Sequence, residues 1–197
     1  MNFLAHLYLS GGVNKVMLGN FIGDFVKGNK YRSFSPEIQK GILLHRKIDA
    51  FTDKHSIVKQ SSSRFKPCYQ RYSSVVIDVI YDHFLAKNWN QYSTEPLNKY
   101  VDHVHSYLLR HYFSLPPRVK GFLPFLIKSR RLENYQHLWG IEKSLTIMAN
   151  YSSLPNKSEC AIKIIREQYH ELDLEFNLYF TELRQMVNLE INAALLP

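Results

Sequence analysis

The 197-residue chain lacks most of the features that mark secreted and membrane proteins. Its two cysteines, Cys68 and Cys160, are too few for a disulfide framework and have neither CxxC nor Cys/His ligand spacing. No run of about 18 apolar residues occurs, and no basic segment precedes the apolar residues of the N-terminal MNFLAHLYLS. We therefore expect a protein of the reducing cytoplasm that is neither secreted nor inserted in a membrane.

Strand patterning is also missing. No segment shows sustained period-two alternation with β-branched enrichment, whereas helical spacing recurs, as in Leu97, Val101 and Val104. The pattern predicts an all-α, single-domain helical bundle over residues 1–197, with no break long enough to be a linker. The predicted helices lie at residues 2–9, 13–27, 36–54, 55–65, 68–89, 94–113, 118–128, 132–150 and 157–195, the last being a long C-terminal helix.

Acidic residues are scarce in most of the chain. The formal net charge is +8, but residues 1–156 hold 21 basic and 10 acidic residues, a net charge of +11. Four of those ten acids lie in apolar surroundings, so the exposed surface of this part must be more basic than the count suggests. Such a surface favours an acidic partner or a phosphate-bearing substrate.

The stretch GILLHRKIDAFTD, residues 41–53, places ionisable groups on the apolar face of a predicted helix. Ser35 is a suitable N-cap and Pro36 a suitable first helical residue, so the helix is expected over residues 36–54. His45 and Asp49 are spaced i, i+4 within its apolar face and can therefore share a ligand or a proton. The simpler alternative is a hydrogen bond between the two in the core.

A second helix, VVIDVIYDHFL at residues 75–85, is apolar around its whole circumference and should be buried. Asp78, Asp82 and His83 interrupt it. Because an unpaired buried carboxylate costs several kcal/mol, such groups are kept when they are paired or bound to a metal. Two helices that each carry a carboxylate and an imidazole favour one shared polar centre over two separate structural pairs.

Two further polar residues lie in apolar segments near the N-terminus. His6 occurs in NFLAHL, and Asp24 occurs in GNFIGDFVKG, between glycines and one turn after Asn20. Small residues beside a carboxylate let another backbone or a substrate phosphate come close. Taken singly, the histidine is more typical of a satisfied core residue and the glycines of a helix packing contact. Together with the two helices, they extend the predicted centre.

The four blocks NFLAHL, GNFIGDFVKG, GILLHRKIDAFTD and YDHFLAKNW, in this order, resemble the bacterial acyl carrier protein phosphodiesterases, also called acyl carrier protein hydrolases. The resemblance is close over about residues 1–90 and continues beyond them in helical character and length. It implies a helical relative of the HD phosphohydrolases, with its metal-site helices within residues 1–90. It also implies that a divalent metal such as Mn²⁺ supports hydrolysis of the phosphodiester joining 4′-phosphopantetheine to a serine of holo-acyl carrier protein.

On that pattern the family's conserved positions fall on His6, Asp24, His45, Arg46, Asp49, Asp82 and His83. The HD signature is a histidine followed by an aspartate, whereas this chain has the reverse order at residues 82 and 83. Carboxylate and imidazole ligands suit Mn²⁺ or Fe²⁺, while Zn²⁺ and Mg²⁺ remain alternatives. The predicted metal ligands are His45, Asp49, Asp82 and Asp24.

Catalytic roles are expected for several of the same residues. Asp24, or alternatively Asp78, can orient the attacking water, and His83 or His6 can protonate the serine leaving group. Arg46 can pair with a phosphate oxygen or, alternatively, with Asp49 or Asp53. Together with the metal ligands, the predicted catalytic residues are Asp24, Arg46, His83 and His6.

The partner implied by the resemblance is an acidic carrier protein. The predicted docking residues are Lys128, Arg130 and Arg131. The second choice, near Asp24, is Lys27, Lys30 and Arg32, and both sets are also typical of solvated faces. Two other functions remain open: a nucleotide phosphohydrolase of HD type, and a basic nucleic-acid-binding module, which ranks last because it leaves the buried acids unexplained.

Overall fold

The computed structural model of the protein describes residues 3–193, and all regular secondary structure in this range is helical. The α-helices are α1 (Phe3–Tyr8), α2 (Lys15–Ile22), α3 (Pro36–Lys54), α4 (Ser56–Ser63), α5 (Lys66–Tyr69), α6 (Ser73–Lys87), α7 (Leu97–Arg110), α8 (Pro117–Lys128), α9 (Arg131–Asn134), α10 (Leu138–Tyr151), α11 (Ser158–Glu167) and α12 (Tyr169–Ala193). Short 3₁₀ segments lie at Gly23–Phe25, Gly28–Ser33, Gln70–Tyr72, Trp89–Gln91 and Tyr112–Ser114. The all-α prediction is confirmed.

Helix α3 begins and ends where the sequence predicted, but several long predicted helices are divided. The segment 68–89 is interrupted at Gln70, which has a φ of 48°, and the segment 157–195 is interrupted at Gln168, which has a φ of −127° and a ψ of 32°. The segments 13–27 and 132–150 are shortened or divided in the same way. Neither of the breaks at Gln70 and Gln168 occurs at a glycine or a proline, so the sequence does not indicate them. Residues 2, 194 and 195 of the predicted helices lie outside the described range.

Helix α6 is the centre of the core. It contacts α1, α4, α10 and α12, and the side chains of Val76, Ile80, Phe84 and Leu85 are fully buried. The sequence expectation of a central buried helix is confirmed. Polar groups on α6 therefore need partners inside the protein rather than water.

Helices α2 and α3 pack unusually close together because glycines face each other at their crossing. A Cβ atom at Gly19 would overlap the carbonyl of Ile38, and one at Gly41 would overlap the carbonyl of Val16. Another glycine, Gly23, makes room for the imidazole of His45. The glycines thus serve as packing contacts, and the crossing brings the end of α2 against the polar face of α3.

The two cysteines are bonded to each other. Cys68 of α5 and Cys160 of α11 form a disulfide with a Cα–Cα distance of 6.4 Å, although 92 positions separate them in the sequence. Two cysteines are too few for a disulfide framework, so their number and spacing did not predict this single bond. No helix within residues 3–193 combines the length and apolar character that crossing a membrane requires.

Candidate metal centre

His6 of α1 meets His45 and Asp49 of α3 at one point. The Asp49 carboxylate bridges the edges of the two imidazoles, with Oδ1 3.2 Å from Nε2 of His6 and Oδ2 3.1 Å from Nε2 of His45. The two rings stack with centroids 4.0 Å apart. One ligand atom from each of the three residues lies within 4.8 Å of the others, which is close enough to share a single ion. With Asp24, these residues are called the His/Asp cluster below.

Asp24 occupies the open side of the cluster. It follows α2 in the 3₁₀ segment Gly23–Phe25, and its Oδ1 atom lies 3.4 Å from Nε2 of His45. Its side chain is 62% exposed, whereas that of His45 is 6% exposed. Contact with the His45 imidazole lowers the Asp24 pKa below its ordinary value, despite partial burial. Asp24 therefore presents an ionised carboxylate to whatever enters from solvent.

Asn20 fixes the tautomer of His6. Its Nδ2 atom donates to the carbonyl of His6 at 2.8 Å and to Oγ of Ser10 at 2.9 Å, so its Oδ1 atom faces Nδ1 of His6 at 2.8 Å. An amide oxygen only accepts, so Nδ1 of His6 must carry the proton. Nε2 of His6 then directs a lone pair at the cluster, which is the arrangement that metal-binding histidines need. The sequence placed Asn20 one turn before Asp24 but gave it no role.

The cluster has a defined distribution of charge. Burial lowers the pKa of His6 to about 4, so this imidazole is neutral. Burial also disfavours charge on His45, but the Asp24 and Asp49 carboxylates outweigh it and raise the His45 pKa to about 9. Burial raises the Asp49 pKa, yet its contacts with His45 and His6 dominate and hold that pKa well below its usual range.

These residues fit a divalent cation. Nε2 of His6 and Nε2 of His45 are both buried and lie close to the Asp49 carboxylate. The contacts are not well directed, and neither nitrogen forms a hydrogen bond within the described part of the chain. A buried polar atom without a hydrogen bond costs free energy unless another partner satisfies it. Imidazole nitrogen and carboxylate oxygen together suit Mn²⁺, Fe²⁺ or Zn²⁺. His6, His45 and Asp49 can therefore hold such an ion, with Asp24 beside it.

Asp82 lies elsewhere, and this corrects the expectation that it joins the cluster. Its carboxylate is fully buried and accepts the backbone N–H groups of Leu4 at 2.9 Å and Ala5 at 3.0 Å. Burial raises the pKa of Asp82 to about 7, against the two amide donors that favour the ionised form. Asp82 thus satisfies the first turn of α1, whose amides have no partner within the helix. It thereby helps to position His6, which directly follows Ala5, but it is not part of the His/Asp cluster.

His83 is also outside the cluster. Its Nδ1–H group donates to the carbonyl of Tyr135 at 2.7 Å, and its Nε2 atom accepts from the hydroxyl of Tyr169 at 2.8 Å. Both ring nitrogens are satisfied, and burial lowers the His83 pKa to about 4. The predicted proton donor is therefore a neutral structural histidine that ties α6 to α12. For Asp82 and His83, the structure therefore shows separate structural roles and not membership of one shared polar centre.

The lowered pKa of His83 leads us to expect that the protein loses stability in acid. Its folded pKa of about 4 lies below the value of 6.5 for an exposed histidine, so the unfolded chain binds the extra proton between these pH values. The contribution of His83 to the free energy of unfolding is fully present above pH 6.5. It falls by roughly 3 kcal/mol as the pH decreases toward 4. His83→Asn keeps a donor for the Tyr135 carbonyl but does not titrate. Urea unfolding at several pH values should show a shallower acid loss in this variant than in the parent, and equal slopes would contradict the prediction.

Arg46 holds the segment that follows Asp24. Its Nη2 atom donates to the carbonyls of Val26 at 2.9 Å and Gly28 at 2.7 Å, and its guanidinium lies over the ring of Tyr31, 5.2 Å from the centroid. It is not paired with Asp49 or Asp53, the partners considered from the sequence. A contact between Arg46 and phosphate stays a prediction. In the structure Arg46 fixes the basic 3₁₀ segment Gly28–Ser33 beside the cluster.

The predicted docking residues differ in how available they are. Lys128 is exposed, but Arg130 forms ion pairs with Glu133 and with Asp102, the latter at 3.4 Å. Arg131 is partly buried, with its guanidinium 5.9 Å from the centroid of the Tyr135 ring. The residues of the second choice are all exposed; they are Lys27, Lys30 and Arg32. The second set also adjoins Asp24 in the chain.

The tautomer argument predicts a role for Asn20. Asn20→Ala removes the acceptor from Nδ1 of His6 and frees the ring to change tautomer, so metal affinity and hydrolysis should each fall by about 10- to 100-fold. Asn14→Ala is the control, because Asn14 caps α2 by accepting from Val16 and Met17 and does not touch His6. Titration with Mn²⁺ and initial rates measure both variants. An Asn20→Ala protein with the metal affinity of the Asn14→Ala protein would refute the role.

Comparisons with known proteins agree on one family. A family model described as "Acyl carrier protein phosphodiesterase" matches residues 1–183. A protein of that name from Yersinia pestis is 36% identical over 193 residues, which are 97% of this chain and 100% of the relative. Another of that name, from Enterobacter sp. (strain 638), is 34% identical over 178 residues, which are 90% of this chain and 89% of the relative. No solved structure matches the chain.

The match extends well beyond the N-terminal blocks that carried the resemblance. It includes α1, α2 and α3, which supply the His/Asp cluster, and continues through most of α12. The chain belongs to the acyl carrier protein phosphodiesterase family.

Proposed function

We propose that this protein hydrolyses the phosphodiester bond between 4′-phosphopantetheine and a serine of holo-acyl carrier protein. The products are apo-carrier protein and 4′-phosphopantetheine. The observation that carries the proposal is a cluster of two imidazoles and two carboxylates, open to solvent at Asp24, in a chain that belongs to this family. The basic surface of residues 1–156 suits an acidic protein substrate.

We infer that the reaction depends on a divalent metal, with Mn²⁺ or Fe²⁺ preferred over Mg²⁺ because of the imidazole ligands. Nε2 of His6, Nε2 of His45 and the Asp49 carboxylate would hold it, with Asp24 on the solvent side. A divalent ion in such a site polarises phosphoryl oxygens and lowers the pKa of water. The neutral His6 and the anionic Asp49 are already in the protonation states that ligands require, whereas His45, whose pKa is raised to about 9, must release a proton when the ion binds.

Asp24 is the residue we assign to the attacking water. Its carboxylate is exposed and has a lowered pKa, so it is ionised at neutral pH and can orient a water and accept its proton. The water oxygen bonds to phosphorus as the bond from phosphorus to the serine oxygen breaks. The serine oxygen then takes up one proton, which balances the proton that Asp24 accepted.

A relationship to the HD phosphohydrolases is part of the proposal. Its support is an all-helical fold and a cluster of histidines and aspartates on neighbouring helices. The adjacent Asp82–His83 pair is not the counterpart of an HD signature, because both residues are engaged in structural hydrogen bonds. The ligands come instead from α1 and α3.

The decisive experiment supplies the metal-free protein with Mn²⁺ and either holo-carrier protein or a panel of nucleotides. We expect the carrier to lose the mass of 4′-phosphopantetheine, the released compound to appear in the supernatant, and a chelator to stop both. The nucleotides should remain intact. Consumption of a nucleotide while holo-carrier protein stays unchanged would replace the proposal with the nucleotide hydrolase alternative.

A further inference from the structure

A pocket of about 430 Å³ with aromatic walls opens between α1, the 3₁₀ segment Gly23–Phe25, α8, α9 and α10. Its volume lies within the range of about 300 to 1,000 Å³ that is typical of small-molecule sites. The side chains that form most of the walls are Phe3, Phe25, Phe122, Phe125, Met148 and Tyr151. We call it the aromatic pocket.

The aromatic pocket begins next to the His/Asp cluster. Phe25 directly follows Asp24, and Phe3 lies about one helical turn before His6 in α1. Phe122 of α8 joins the two, with ring centroids 5.6 Å from Phe3 and 5.5 Å from Phe25. A molecule bound by its phosphate at the cluster therefore has this pocket beside it.

A glycine keeps part of the aromatic pocket open. Gly121 lies in the interior of α8, where glycine destabilises a helix relative to alanine. Nothing lies within 4 Å of a Cβ atom built at Gly121, in contrast to Gly19, Gly23, Gly41 and Gly140, which all face close neighbours. Packing thus gives no reason for a glycine here. The free volume beside α8 is the pocket itself.

The pocket also has a cationic residue in its wall. Arg131 belongs to the lining, and its guanidinium carries five N–H donors and no acceptor. A ligand with a carbonyl oxygen can accept a hydrogen bond from such a group. At the mouth, the side chains of Phe125 and Tyr151 are 49% and 88% exposed, an unusual placement for two large aromatic groups.

We propose that the aromatic pocket binds the pantetheine arm of the prosthetic group while its phosphate lies at the His/Asp cluster. This inference rests on the proposed function. The arm combines a geminal dimethyl group, which suits the aromatic walls, with amide carbonyls that can accept from the guanidinium of Arg131. A purely polar ligand would make no use of the aromatic walls, and a purely apolar one would make no use of the Arg131 guanidinium.

The pocket would recognise the pantetheine arm, which distinguishes this substrate from other phosphodiesters. Binding energy from this nonreacting arm can hold the phosphorus atom in place at the cluster. Substrates without the arm should therefore be hydrolysed only through contacts at the cluster itself.

Gly121→Leu tests the pocket with little risk to folding, because leucine is a better helix former than glycine and its side chain enters the free volume. Gly121→Ala is the matched control, with the same gain in helix propensity and far less volume. We expect Gly121→Leu to weaken binding of free pantetheine, measured calorimetrically, and to lower kcat/KM for holo-carrier protein by about tenfold or more, mainly through KM. Hydrolysis of bis(p-nitrophenyl) phosphate, which has no arm, should not change.

Arg131→Met provides a second measurement, since it keeps the length of the side chain and removes the donor. It should weaken pantetheine binding in the same direction as Gly121→Leu. Unchanged pantetheine affinity and KM in both variants would overturn the proposal, as would a loss confined to carriers that bear a long acyl chain. Failure of the parent protein to hydrolyse holo-carrier protein refutes the proposed function instead, while pantetheine binding that Gly121→Leu abolishes still supports the pocket.

Discussion

Asp49→Asn is expected to reduce hydrolysis of holo-carrier protein by at least about a thousandfold, because metal ions contribute several kcal/mol of transition-state stabilisation and each 1.36 kcal/mol is a factor of ten. The Asp49 carboxylate contacts both imidazoles of the cluster and is the central anionic ligand of the proposed metal site. An amide in its place removes the negative charge and one good oxygen ligand. Bound metal should fall together with kcat, while helical circular dichroism is retained.

Asp53→Asn is the matched control, since Asp53 lies one turn later in α3 and is exposed. Addition of Mn²⁺ at about a hundredfold excess over its dissociation constant should stabilise the parent and the Asp53→Asn protein by ~2.7 kcal/mol. The Asp49→Asn protein should show almost no such stabilisation. The metal-free proteins give the baseline, because Asp49 also contacts two histidines without a metal. Full activity in Asp49→Asn would mean that the cluster is not the catalytic centre.

The sequence predicted α3 and the pairing of His45 with Asp49 because both depend on local spacing. A distance of four positions places two side chains on the same face of any helix, whatever surrounds it. The approach of His6 to this pair depends instead on tertiary packing, namely the glycine crossing of α2 and α3 and the anchoring of α1 by Asp82. The resemblance to a known family indicated these residues, but the spacing alone did not.

Helix α6 shows why the remaining ligand predictions differed from the structure. A helix that is apolar around its whole circumference does not indicate which direction its polar residues face. Asp82 reaches backbone groups 77 and 78 positions away, and His83 reaches partners 52 and 86 positions away. Such partners can be identified only after the chain has folded. The same limit applies to the disulfide between Cys68 and Cys160, which lie 92 positions apart.

Docking residues are a related case, because net charge can be counted in a sequence but ion pairing cannot. Arg130 follows Lys128 in a basic cluster, yet its ion pairs with Glu133 and Asp102 offset its charge. Partial burial of Arg131 in the wall of the aromatic pocket removes a second cation from that surface. Lys27 and Lys30 keep their exposure and lie beside Asp24, so the structure favours the set that ranked second by sequence.

Reversing Lys27 and Lys30 to glutamate should accordingly lower kcat/KM for holo-carrier protein by about tenfold or more at low ionic strength, because electrostatic steering raises association rates by about 10- to 1,000-fold. The effect on kcat should be small, since the proposed chemistry takes place at the His/Asp cluster and not at these lysines. Raising the salt concentration from 0.1 M to 1 M shortens the Debye length from ~10 Å to ~3 Å and should remove most of the difference between variant and parent.

Lys128→Glu is the control for this reversal, because Lys128 is also exposed but belongs to the surface on which Arg130 is already paired. Its effect on kcat/KM should be several times smaller than that of Lys27→Glu or Lys30→Glu alone. A larger effect at Lys128 would place the carrier on the α8–α9 surface instead. Activity that is insensitive to salt in the parent protein would argue against an acidic protein substrate, since a small diffusing substrate depends much less on the charge of the surface around the site.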